Sequence, residues 1–153
     1  FLVGDAQKLP FESSTFDVLY SCECLEHIPN PQLALNEFFR VLKPGGRLIL
    51  TTENYSNGML IVWLMCWIRN KPFNSGVQVQ PIENFFLFWK VKRMMKKAGF
   101  TFSKMDGWHF VFFILPGLHP HTFVKEHINN GFFKGVFKPF ARHVTFFLQK
   151  RNS

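Results

Sequence analysis

Residues 16–52 read FDVLYSCECLEHIPNPQLALNEFFRVLKPGGRLILTT, and the punctuation of this stretch decides the fold. Phe16 to Ser21 is apolar on both faces from Val18 to Tyr20, the pattern of a strand in a covered parallel sheet. Asn30-Pro31 opens a helix: Asn caps free N–H groups and Pro suits the first turn. Leu35, Phe38, Phe39 and Leu42 then recur at helical spacing, with Gln32, Asn36, Glu37, Arg40 and Lys43 elsewhere on the wheel. Lys43-Pro44-Gly45-Gly46 stops the helix, and Arg47 to Thr52 is the next strand. Strand, helix and strand joined by short links make a βαβ unit with parallel strands and a right-handed crossover.

Outward from this unit, Phe1-Leu2-Val3 is a short apolar run that ends in a turn at Gly4-Asp5. Downstream, a turn-rich entry at Asn54 leads to the apolar run Met59 to Ile68 and then to a loop of Pro72, Asn74, Ser75 and Gly76. The periodicity predicts a helix over 82–98, with Leu87, Val91, Met94 and Ala98 as its apolar stripe and Gly99 as its cap. Lys90, Lys92, Arg93, Lys96 and Lys97 occupy its other arc. Phe100 to Met105 and His143 to Lys150 read as strands. Residues 107–142 are rich in Phe, Gly, Pro and His and follow no clean period.

A chain of 153 residues, 47% hydrophobic, is one globular domain's worth. Its net charge of +8 favours an anionic partner without choosing one. The three cysteines give no disulfide framework and point to a reducing, cytoplasmic setting. Cys22-x-Cys24 lacks a second pair, and His119-x-His121 lacks a third ligand, so no metal site is expected. No basic region followed by an apolar stretch opens the chain, so no signal peptide is expected. The Met59–Ile68 run is about half the ~20 residues of a membrane span. Trp63 and Trp67 within it suit a membrane interface. Beside Phe85, Phe86 and Trp89, the Lys90–Lys97 face could likewise meet anionic lipid, so peripheral membrane contact is an expectation.

Ligands of open α/β sheets bind beyond the carboxyl ends of the parallel strands. Those ends are Gly4-Asp5-Ala6, Ser21-Cys22-Glu23-Cys24 and Thr52-Glu53-Asn54-Tyr55. Together with Leu9-Pro10-Phe11, Phe16-Asp17-Val18, Leu25-Glu26-His27-Ile28, Leu42-Lys43-Pro44-Gly45-Gly46 and Ala98-Gly99-Phe100, they resemble the type 11 class I S-adenosylmethionine-dependent methyltransferases. The likeness is good from Phe1 to about Thr52 and looser beyond.

The resemblance implies an α/β, Rossmann-like sheet of seven strands in the spatial order 3-2-1-4-5-7-6, the last strand antiparallel. This chain would supply strands 3 to 7 as a single truncated domain, 1–153, without the glycine-rich loop. Residues 54–80 and 107–142 would be substrate-covering insertions. It also implies S-adenosylmethionine as cofactor. Asp5 and the Ala6 N–H would meet the adenine, and Ser21 and Cys22 the methionine part. Leu25, Asn54 and Tyr55 would lie towards the acceptor. Two roles stand open for His27: a general base, or a residue that orders its turn. The expected acceptor is a small, apolar or lipid-like molecule. A nucleic acid partner and an obligate protein partner are not expected. The rival reading is a non-catalytic membrane- or partner-binding module that retains half of the fold.

Overall fold

The computed structural model describes residues 2–56, 64, 67–70, 81–82, 84–111, 124–125 and 138–152, with side chains left undescribed at 109–111 and 124–125. Five strands form one sheet: β1 (Phe16–Cys22), β2 (Leu42–Glu53), β3 (Phe100–Val111), β4 (Val124–Lys125) and β5 (Ala141–Lys150). Their spatial order is β1-β2-β5-β3-β4. Among the described residues, two helices have both ends described, α1 (Pro31–Val41) and α2 (Phe88–Lys97).

The βαβ unit forms as its sequence dictates. β1 and β2 are parallel, with Leu19 opposite Leu48 and Ser21 opposite Leu50. β5 runs antiparallel between β2 and β3, the place expected for the last strand. The Asn30 side chain accepts the Leu33 N–H at 3.3 Å and Pro31 follows at the first helical position, so α1 starts where expected. At its far end Lys150 donates to the Phe39 and Leu42 carbonyls at 2.8 and 2.7 Å. A cation on those carbonyls offsets the negative end of the helix dipole.

Every second residue of β2 and β5 enters the core. Leu48 faces Leu148 and Leu50 faces Phe146 in register, all fully or almost fully buried. Leu35 and Phe38 of α1 and Phe88, Val91 and Met95 of α2 complete the same cluster. Each such Leu or Phe contributes roughly 1.5–3 kcal/mol by leaving water. Gly99, at φ 103°, ends α2, and a Cβ there would lie 2.9 Å from the Phe39 ring. Both the backbone and the close approach therefore require glycine.

The predicted helix over 82–98 is shorter than expected, because residues 84–87 are tied elsewhere. Asn84 N–H donates to the Glu26 carbonyl at 2.7 Å, and the Phe86 carbonyl accepts from Tyr55 N–H at 2.8 Å. With those groups committed to tertiary partners, α2 begins at Phe88. Its buried stripe is Phe88, Val91 and Met95, while Leu87, Met94 and Ala98 are half-buried. Phe86, expected off the stripe, is buried at 0% exposure. β3 runs six residues beyond the predicted Met105, and the short β4 pairs with its end in a region without a sequence signal. Most of the two expected insertions, with Trp63, His119 and His121, lies outside the described residues. No helix among the described residues is long and apolar enough to cross a membrane.

Leu2 and Val3 have no strand partner among the described residues, and both are exposed. After them, a tight turn closes through the Lys8 N–H to the Asp5 carbonyl at 2.9 Å. β1 is thus an edge of the sheet, with Val18 and Tyr20 exposed by 47% and 62%. An apolar edge is a template for pairing with another chain. Replacing Tyr20 by Lys should reduce light scattering by the chain at equal concentration without lowering its melting temperature. Unchanged scattering would show that this edge does not drive association.

Candidate functional site

A cleft of about 440 Å³ opens beside β1. That volume lies within the range of small-molecule sites, about 300–1,000 Å³. Its floor is β1 itself, from Phe16 to Cys22 with Cys24 beyond, and its roof is Ala6, Leu9 and Phe11. Three of the four residues expected to hold a cofactor, Ala6, Ser21 and Cys22, line it together. Ser21 is buried, and its hydroxyl has no hydrogen-bond partner among the described residues. Such a group is satisfied when a polar ligand enters.

Asp5 stands next to the lining and is exposed. Its carboxylate accepts the Gln7 backbone N–H at 2.8 Å and the Gln7 side-chain amide at 3.1 Å. The backbone bond, then the side-chain bond, holds its carboxyl below the ordinary range. Asp5 is therefore an ionised acceptor at the rim of the cleft.

An ion pair on α1 holds the roof. Arg40 donates to Glu37 through Nε at 2.7 Å and Nη2 at 2.8 Å. Its remaining donors reach the Phe11 carbonyl at 2.8 Å and the Leu9 carbonyl at 3.1 Å, while Glu37 accepts the Leu9 N–H at 2.9 Å. The planar fork of arginine serves both tasks at once. The helical spacing put Glu37 and Arg40 off the apolar stripe of α1 and gave no sign of this clamp. Glu37-x-x-Arg40 is one helical turn, but its partners in the 9–11 loop leave no local signal.

Of the residues expected near the acceptor, the structure brings none into the cleft lining. Leu25 is fully buried in the core, as its apolar side chain prefers. Asn54 is also fully buried, and its amide donates to the Pro139 and Ala141 carbonyls at 2.9 and 2.7 Å. Tyr55 is buried against Phe85, ring centroids 4.8 Å apart, and its hydroxyl donates to Glu53. These two side chains fasten the end of β2 to its surroundings. His27 is exposed and joins its Nδ1 to the Ile82 carbonyl at 3.0 Å, so it ties its turn to the segment before α2.

The strand ends gather a polar cluster that sequence reading missed. Glu23 has a left-handed backbone, φ 42°, unusual for a residue with a side chain. Its N–H donates to the Thr51 carbonyl and hydroxyl, each at 3.1 Å, and its carboxylate meets His143 Nδ1 at 3.2 Å. His143 stacks on Trp108, ring centroids 4.7 Å apart. Glu26, only 2% exposed, accepts the Thr52 hydroxyl at 2.8 Å through one oxygen. Its other oxygen has no partner among the described residues. Glu23-x-x-Glu26 is visible in the sequence as one turn, but His143 lies 120 residues away.

The two carboxyls are pushed in opposite directions. Burial raises Glu26 above the ordinary range, and the bond from Thr52 only partly offsets it. Burial also pushes Glu23 up, but His143 and Thr51 outweigh it and hold that group low. The two neighbouring environments therefore favour ionisation of Glu23 over that of Glu26. Among the described residues no group of His, Cys, Asp or Glu is arranged to hold a metal.

Residues 1–50 match the methyltransferase domain family. A sterol 4-C-methyltransferase of Caenorhabditis elegans is 51% identical over 49 residues, which are 32% of this chain and 15% of that protein. A ubiquinone/menaquinone biosynthesis C-methyltransferase of Ruegeria is 50% identical over 50 residues, 33% of this chain and 20% of that protein. The aligned part thus spans a fifth or less of these relatives. The crystal structure of an S-adenosylmethionine-dependent methyltransferase from Thermotoga maritima, described as a possible histamine N-methyltransferase, superposes with a TM-score of 0.66 at 22% identity. The superposition covers 98% of this chain and 63% of that one. At that identity the likeness is one of fold.

Three outcomes test this geometry. Arg40→Met should speed amide hydrogen exchange at Leu9 without unfolding the sheet; unchanged exchange would remove the clamp. Glu37 is held low chiefly by Arg40, so acidifying through its lowered pKa should release the roof in the same way. The raised Glu26 has the opposite sign: folding favours its protonated form. Its contribution to stability is present below the ordinary carboxylate value of about 4.3 and declines as pH rises towards its folded pKa. The difference in melting temperature, Glu26→Gln minus the unsubstituted chain, should therefore grow as pH rises through that window. A flat difference would contradict a buried, raised Glu26.

Proposed function

We propose that this chain, whose first 50 residues belong to the methyltransferase domain family and whose fold is that of S-adenosylmethionine-dependent methyltransferases, serves methyl transfer from S-adenosylmethionine to an apolar small-molecule acceptor. The observation that carries the reading is the cleft beside β1, in which Ala6, Ser21 and Cys22 meet at the carboxyl side of a parallel strand. The residues fit the cofactor. Leu9, Phe11, Phe16 and Leu19 offer apolar walls to an adenosyl group, and the buried, unpartnered Ser21 hydroxyl offers a hydrogen bond to the amino-acid part. Asp5, ionised at the rim, suits an exocyclic amine because a carboxylate only accepts.

When bound, the cofactor supplies an electrophilic methyl on a sulfonium, and the reaction is an in-line displacement. This chain's part is alignment, which can supply much of the acceleration. The clamp of Arg40 and Glu37 holds the roof, and the β1–β2 pairing holds the floor. An apolar acceptor is supported by the names of the two relatives, which act on a sterol and in ubiquinone or menaquinone synthesis. Where the acceptor atom must lose a proton, Glu23 is the carboxylate kept ionised beside the cleft, between Cys22 and Cys24.

Calorimetry with S-adenosylhomocysteine, on the chain and on any longer form that contains it, tests the reading. Ser21→Ala should weaken binding by about 1–3 kcal/mol, the scale of a hydrogen bond lost from a buried ligand group, and Asp5→Ala should weaken it as well. Unchanged affinity in either variant would remove that residue from the site. Binding without transfer of a labelled methyl group to sterol or quinone precursors would favour a non-catalytic module.

A further inference from the structure

We propose that the outward face of α2 docks the protein on an anionic lipid surface. This inference stands apart from the methyl-transfer reading and does not depend on it. Phe88, Val91 and Met95 turn α2 onto the sheet. At 3.6 residues per turn, Trp89, Lys90, Arg93, Lys96 and Lys97 then fall on an arc of roughly 120° that points away from it. All five are exposed, Trp89 by 59%. The helix holds no acidic residue, and no cation of this arc forms an ion pair among the described residues. Lys92, at the edge of the arc, places its ammonium over the Phe88 and Phe102 rings.

A solvated surface helix ordinarily mixes its charges, because unpaired like charges repel. Four cations without an ion pair among the described residues, Lys90 lying over the Phe86 ring, suit a partner with a dense negative surface. Two such partners exist, and the aromatic content favours lipid. Trp89 stands among the cations, and Trp67 and Ile68 are also exposed, by 70% and 68%. Tryptophan beside lysine and arginine matches the headgroup layer of a bilayer, where the ring has both an apolar and a polar neighbour. A single-stranded nucleic acid instead requires a groove with successive stacking rings, and a single indole on a convex helix makes none.

Co-sedimentation with phosphatidylcholine vesicles, with and without phosphatidylserine, tests the proposal. The chain should bind only vesicles that contain phosphatidylserine, and release should follow as salt rises from about 0.1 to about 1 M, which shortens the screening length from ~10 to ~3 Å. K90E/R93E/K97E should lower the bound fraction at least ten-fold, and K90Q/R93Q/K97Q should lower it less, with unchanged circular dichroism. K8E/R47E/R151E, an equal change of charge on exposed residues off the helix, should retain binding. Equal loss in that control would overturn α2 as the docking face and leave only net charge. Binding to single-stranded RNA with no vesicle binding would overturn the lipid assignment.

Discussion

The backbone of β2 is engaged on both sides, by parallel β1 on one flank and antiparallel β5 on the other, and the rest of the molecule is arranged around that double pairing. A backbone group buried without a partner costs as much as a lost hydrogen bond, so both flanks must be filled for Leu48 and Leu50 to enter the core. The pairing with β1 requires a crossover, which α1 provides. The pairing with β5 brings residues from the far end of the sequence to the carboxyl ends of β1 and β2. Without that long-range contact His143 would not reach Glu23.

The same arrangement explains why polar groups collect where they do. Thr51 and Thr52, at the end of β2, hold the turn that follows β1 through Glu23 and Glu26. The positive φ of Glu23 is local strain at a strand end, where strain is commonly tied to function. Ser21, one strand position before Cys22, keeps a hydroxyl with no hydrogen-bond partner among the described residues in the cleft.

The architecture was legible because the βαβ unit is written locally. Asn30-Pro31 and Lys43-Pro44-Gly45-Gly46 punctuate it, and the apolar spacing between them has one reading. Residues 84–87 were misread as helix because their tertiary hydrogen bonds to Glu26 and Tyr55 override a helical pattern. Ala6, Ser21 and Cys22 were expected together because strand ends in this fold class face ligands, and they do line one cleft. Leu25, Asn54 and Tyr55 follow the same rule in sequence but pack inward, since β2 needs its end fastened to Pro139 and Ala141. The Glu23–His143 contact and the Arg40 clamp join segments far apart in sequence, so periodicity could not show them.

Hydrogen–deuterium exchange with and without S-adenosylmethionine tests the central claim most directly. The account predicts protection at the amides of Ala6 and of Ser21 to Glu23, on the roof and floor of the cleft, with little change in β3 and β5. Protection confined to other segments, or none at saturating cofactor, would contradict the assignment of this cleft.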